Sequence, residues 1–88
     1  MPYFIAFLQT VDPEKDAAIL AEHKAYLDKY IKEGKIFAKG PFLDHSGGLI
    51  IYHTETEEEA YQIALNDPVI KEKSRTMIFK AWKSTLGE

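Results

Sequence analysis

Two short stretches of this chain are apolar on both of their alternating faces. In Tyr3 to Gln9 the sets Tyr3/Ile5/Phe7 and Phe4/Ala6/Leu8 are both hydrophobic, and Leu49-Ile50-Ile51-Tyr52 repeats the pattern. Each run is too brief for a buried helix and rich in aromatic or β-branched residues, so both read as strands. A strand with two apolar faces needs cover on both of them. The chain has 88 residues, which makes one small domain over 1–88, near the lower limit for a core that holds itself together. The two strands therefore belong in the middle of its sheet.

The remaining elements follow from caps and breakers. Asp12-Pro13 reads as an N-cap with proline in the first helical position, and Gly34 as the left-handed residue that ends one long helix. Lys35 to Leu43 is a second strand whose Gly40-Pro41 places it at a sheet edge, since proline cannot donate to a ladder. Asp44-His45-Ser46-Gly47-Gly48 is turn chemistry leading into the strand from Leu49 to His53. Thr56-Glu57-Glu58-Glu59 is a capping box opening a second helix, with Ala60, Ile63 and Ala64 facing inward. Asn66-Asp67-Pro68 ends it, because the residue before proline avoids helical geometry. Val69 to Ser74 can hold one more helical turn. Arg75 to Lys83 is the last strand, with Ile78, Lys80 and Trp82 on one face and Met77, Phe79 and Ala81 on the other.

This β-α-β-β-α-β order is that of the α+β ferredoxin-like fold, a four-stranded antiparallel sheet with both helices on one face. The first and third strands are expected to lie parallel in the middle, and the second and fourth at the edges. The sheet face away from the helices would still carry apolar groups from several strands, more than a lone copy leaves bare. A homodimer with its sheets packed face to face is the expected remedy.

Composition removes several function classes. The chain has no cysteine, so disulfides, thiol chemistry and thiolate metal sites are excluded. A formal charge of −3 and a pI near 5.6 offer no attraction to nucleic acid or to anionic membranes. The start Met1-Pro2-Tyr3-Phe4-Ile5 has no basic leader, and Gln9, Thr10 and Asp12 interrupt it too early for a signal peptide or a membrane span. A reduced, cytoplasmic setting is the expectation.

The chemistry centres on His23. Ile19, Leu20, Tyr26, Leu27 and Tyr30 stand at helical spacing around it, which puts the imidazole near the middle of the buried stripe. An inward ring needs partners for its nitrogens. It is either a core histidine bonded to a backbone carbonyl, or a neutral base at the edge of a pocket, steadied by a second group. Asp67 is the candidate for that group; as the residue before Pro68 it is equally suited to capping a helix. Ser46 at the turn and Arg75 at the start of the last strand are candidate substrate contacts, each with a plain alternative as turn former or edge residue. No pair among His23, His45 and His53 has helix-face ligand spacing, so no metal is expected. Gly47-Gly48 joins two strands instead of opening a helix, so it is no phosphate loop.

Glu22-His23-Lys24-Ala25-Tyr26-Leu27, Gly34, Gly40-Pro41, Gly47-Gly48 and Asn66-Asp67-Pro68, in that order, resemble the YCII-related domain family across nearly the whole chain. That resemblance implies a dimeric α/β barrel and a catalytic dyad of the first-helix histidine and the Asp-Pro aspartate, here His23 and Asp67. It further implies cofactor-free lyase or isomerase chemistry on small organic rings, loss of halide included. One departure bears on substrate class: many members carry Arg-Pro shortly before the histidine, where this chain has Leu20-Ala21-Glu22. Two other classes stay open. One is a non-catalytic small-molecule-binding or accessory protein using the same pocket. The other is an RNA-binding module of the same strand order, with Tyr3, Phe7 and Tyr52 as its base-stacking platform; the net charge has the wrong sign for it.

Overall fold

The computed structural model describes residues 2–87; Met1, where the reading of the amino terminus starts, lies outside them. The elements run β1 (Tyr3–Thr10), α1 (Pro13–Ala18), α2 (Leu20–Lys32), β2 (Ile36–Pro41), β3 (Gly47–Tyr52), α3 (Glu57–Leu65), α4 (Pro68–Lys71) and β4 (Arg75–Trp82), then a 3-10 turn at Thr85–Gly87. The sheet order is β2-β3-β1-β4. The two doubly apolar strands are central, and the strands bearing Pro41 and Lys80 are the edges, as their sequences require.

The expected direction of the central pair is wrong. β1 and β3 are neighbours but run antiparallel, with Phe4 opposite Tyr52 and Phe7 opposite Leu49. The crossover through α1 and α2 returns β2 parallel to β1, leaving a gap between them. The hairpin at 42–46 then reverses the chain, so β3 fills that gap in the opposite sense. Every ladder in the sheet is antiparallel.

The long helix is also not continuous. Ile19 sits at φ −110° and ψ 10° between α1 and α2, and its N–H reaches back to both Lys15 and Asp16 carbonyls. The Asp12 cap holds as expected, accepting from the Lys15 N–H at 3.2 Å. Gly34 takes φ +76°, the left-handed conformation that only glycine adopts without strain. Half of the expected capping box forms. Thr56 Oγ1 accepts from the Glu59 N–H at 3.1 Å, while the Glu59 carboxylate turns outward to Lys35 Nζ at 2.7 Å.

The core lies between the helices and one sheet face. Phe4, Ala6 and Leu8 of β1 with Ile50 and Tyr52 of β3 meet Leu27 of α2, Ala60, Ile63 and Ala64 of α3, and Val69 of α4. The opposite face carries Phe7, Ile78 and Trp82, 43%, 58% and 37% exposed, with Phe37 at 53% beside them. Tyr52 is on the core side and 1% exposed, and Tyr3 is only 5% exposed. Two of the three aromatics considered for base stacking, Tyr3 and Tyr52, are therefore buried. No helix among the described residues is long and apolar enough to cross a membrane.

Candidate active site

Two breaks in regular structure bring His23 and Asp67 together. The kink at Ile19 starts α2 just before His23, whose N–H bonds the Ile19 carbonyl at 3.0 Å. The Asn66-Asp67-Pro68 step ends α3 and opens α4, with Asp67 as N-cap at φ −61°, ψ 132°. Across 44 positions of sequence, His23 Nδ1 lies 2.7 Å from Asp67 Oδ1, and the contact is buried. The same oxygen accepts from the Val69 N–H at 3.2 Å. The cap acceptor and the atom that meets the histidine are thus a single oxygen.

This arrangement assigns the tautomer. An ionised carboxylate only accepts, so Nδ1 carries the hydrogen, and a neutral ring keeps its lone pair on Nε2. Nε2 has no hydrogen-bond partner among the described residues and is not sealed from solvent. Asp67 Oδ2, by contrast, is buried with no hydrogen-bond partner. Burial is the main cause that lifts the Tyr26 and Tyr52 phenols above their usual range; Tyr30 adds to it for Tyr26, and the Asp67 charge adds for both. Both phenols stay protonated, and Tyr26 donates to the Ile63 carbonyl at 2.7 Å.

His23 lines a pocket of about 200 Å³ between α2 and the β2-β3-β1 part of the sheet. Its floor is apolar, from Leu8, Leu27 and Ile50, and Leu20 adds an apolar wall at the segment where many members of the resembled family carry arginine. Gly48 shares that floor; a Cβ there would come within 2.9 Å of the Gly40 carbonyl oxygen, so a side chain would disturb the β2-β3 contact beneath the pocket. An apolar cavity of roughly 150 Å³ holds a benzene ring, so this volume suits one small ring.

Arg75 also lines the pocket, but it is not free. Its Nε and Nη2 donate to Asp16 Oδ1 and Oδ2 at 2.8 and 2.9 Å, a bidentate pair. Ser74 Oγ donates to the same Asp16 at 2.9 Å. Burial alone would raise the Asp16 carboxyl, yet the hydrogen bonds from Arg75 and Ser74 and the Arg75 charge outweigh it and hold the group below its ordinary value. Asp16 was not among the candidate site residues of the sequence. The available signal was a carboxylate seven residues before His23, within the stretch whose sequence reads as one helix, in a chain with one arginine.

Ser46 is elsewhere. It is exposed on the hairpin, where its N–H donates to Asp44 Oδ1 at 3.0 Å, and it borders a shallow hollow with Phe7, Phe42 and Leu43. The structure does not bring it to His23. His53 stacks on Tyr3 with ring centroids 4.6 Å apart, and His45 caps the turn at φ +63°. Among the described residues no three His, Cys, Asp or Glu side chains converge in a way that could hold a metal.

A model of the YCII-related domain matches residues 1–83. The uncharacterized protein YjpA of Bacillus subtilis (strain 168) is 33% identical over 64 residues, 73% of this chain and 75% of that protein. Among solved structures, the chain is similar to 5-chloro-2-hydroxyhydroquinone dehydrochlorinase (TftG) of Burkholderia phenoliruptrix AC1100 in complex with 2,5-dihydroxybenzoquinone. The TM-score is 0.76 at 25% identity, covering 100% of this chain and 99% of that one. With a fold that matches in full and a family model spanning β1 to β4, this chain belongs to the YCII-related domain family.

Proposed function

We propose that this chain is a cofactor-free enzyme of lyase or isomerase type, moving a proton on a small organic ring or carbonyl compound. One observation carries the reading: the 2.7 Å contact between His23 Nδ1 and Asp67 Oδ1, with the far side of the ring opening on a ring-sized pocket. Nε2 would take a proton from a substrate carbon or hydroxyl. The imidazolium that forms keeps its Nδ1–H on Asp67, which orients the ring and balances its new charge. The electron pair left behind passes into a conjugated carbonyl, or expels a leaving group such as halide from the ring. Return of the proton to another atom completes an isomerisation; departure of the halide with the proton lost to solvent completes an elimination. Neither course needs an oxidant or reductant. The likeness to a dehydrochlorinase over the full length of both chains supports an enzyme of this kind.

The test is a panel of hydroxylated rings, with and without halogen, and of cyclic ketones, incubated in D2O. Proton NMR reads carbon–hydrogen exchange and ion chromatography reads halide. Turnover is expected with the wild type on at least one compound, absent in His23→Ala and reduced in Asp67→Asn. A ligand that binds yet returns unaltered and unexchanged would instead mark a small-molecule-binding module.

The same reading includes a partner. The exposed Phe7, Phe37, Ile78 and Trp82 on the sheet face away from the helices form a surface that a second copy would cover, giving a homodimer through the sheet. Burying a few hundred Å² at about 25 cal/mol per Å² is worth several kcal/mol, comparable to the folding stability of so small a chain.

A further inference from the structure

The pocket wall inverts the charge of the chain around it. The protein as a whole carries −3, yet the ionisable residues lining the pocket are His23, Lys24, Lys39 and Arg75, and no carboxylate is among them. Arg75 is neutralised by its bidentate pair with Asp16. Lys24 and Lys39 form no salt bridge among the described residues. They come from opposite walls. Lys24 follows His23 on α2, while Lys39 of β2 is paired in register with Ile50. Ile50 is 2% exposed in the core, so Lys39 starts from the helix-covered side of the sheet.

We propose that Lys24 and Lys39 are specificity-determining residues that select a substrate entering as a ring-bound oxyanion, an enolate or phenolate. The assignment rests on the proton-transfer reading of His23 and names the substrate class for it. The apolar floor of Leu8, Leu27 and Ile50 takes the ring, and the two ammonium groups take the charged oxygen at the mouth. An oxyanion conjugated with the reacting carbon suits this site, because two ammonium groups carried on opposite walls can stabilise it without removing the apolar contact the ring needs. An inward lysine on an edge strand also blunts that edge against stray pairing; such a role would leave ligand affinity unmoved.

The test is calorimetric titration with cyclohexane-1,3-dione, whose enol is ionised at pH 7.5, against its neutral methyl enol ether. Wild type should bind the enolate at least tenfold more tightly than the ether, and less tightly as salt rises. Lys24→Gln and Lys39→Gln, both at exposed positions, should each weaken the enolate about fivefold, the upper range for an ion pair with water on one side. Lys39→Arg should restore most of it. Equal affinity for enolate and ether, enolate binding indifferent to both lysines, or binding of neither probe would each overturn the proposal. If enolate binding depends on the lysines while no compound of the exchange panel turns over, proton transfer fails and the two lysines mark an anion-selective binding site instead of a substrate filter. If turnover occurs and affinity ignores the lysines, only this assignment falls.

Discussion

The contact between His23 and Asp67 can be measured without knowing the substrate, through a double-mutant cycle on stability. Asp67→Asn leaves an oxygen at the Oδ1 position, so the cap to the Val69 N–H survives, asparagine being as good an N-cap as aspartate. What it removes is the charge across a buried 2.7 Å contact. A hydrogen bond to a charged group contributes about 1.5–3 kcal/mol. Relief of the charge at the buried, partnerless Oδ2 position is set against the two unpaired N–H donors that asparagine places there, and a net cost of about 2 kcal/mol is expected. For 88 residues that corresponds to roughly 8–16 °C in Tm. His23→Ala strips the pocket wall and leaves the carboxylate with the Val69 N–H alone, at a cost of about 2–4 kcal/mol. The double variant should fall short of the sum of the two by about 1.5 kcal/mol, since the shared interaction is lost once. Asp67→Ser supplies the control, an equivalent cap too short to reach the ring, and it should show the same non-additivity. The assay is urea unfolding followed by circular dichroism at pH 7 and one fixed protein concentration, because any dimer makes stability concentration-dependent. Single-variant costs that add to within about 0.5 kcal/mol would mean that the two groups do not interact in solution, and the proposed mechanism would lose its second member.

Other expectations follow from the same structure. The Asp16 carboxyl is held below its ordinary value of 3.8, so its contribution to stability is complete above that pH and is lost as pH falls through the lower folded value. The stability gap between wild type and Asp16→Asn should therefore be about 2 kcal/mol at neutral pH and shrink in urea titrations below about pH 4; a gap that grows on acidification would refute the pairing with Arg75. A Cβ at Gly47, where φ is +156°, would lie 1.8 Å from the Leu8 carbonyl oxygen. Gly47→Ala must push β3 off β1 and should cost at least about 2–3 kcal/mol, so a melting temperature within a few degrees of wild type would contradict the register. On the outer sheet face, Ile78→Glu should convert a dimer into a monomer by light scattering, with little change in secondary structure; a wild type that is already monomeric at 100 μM ends the proposal of a face-to-face pair.

How much was legible beforehand depends on whether the signal was local. Gly34, the Asp12-Pro13 start, the Thr56 cap and the Asn66-Asp67-Pro68 break all act within a few residues, and each one appears where the chain spells it. The edge and centre assignments were legible too, because Pro41 cannot serve two ladders and Tyr3 to Gln9 has no polar face to show to water. The break at Ile19 carried no such mark, since neither glycine nor proline stands there.

Sequence alone settled the order of strands and helices, which strands lie inside the sheet, and that His23 faces inward. These are consequences of steric preference and of hydrophobic period along a few neighbouring residues. Tertiary structure alone decided that β1 and β3 run against each other, that Tyr52 turns into the core, that Arg75 answers to Asp16, and that one oxygen of Asp67 serves both its own helix and a ring 44 positions away. A strand that is apolar on both sides holds no record of which side is which, because the parity of its side chains is set only when it acquires a neighbour in register.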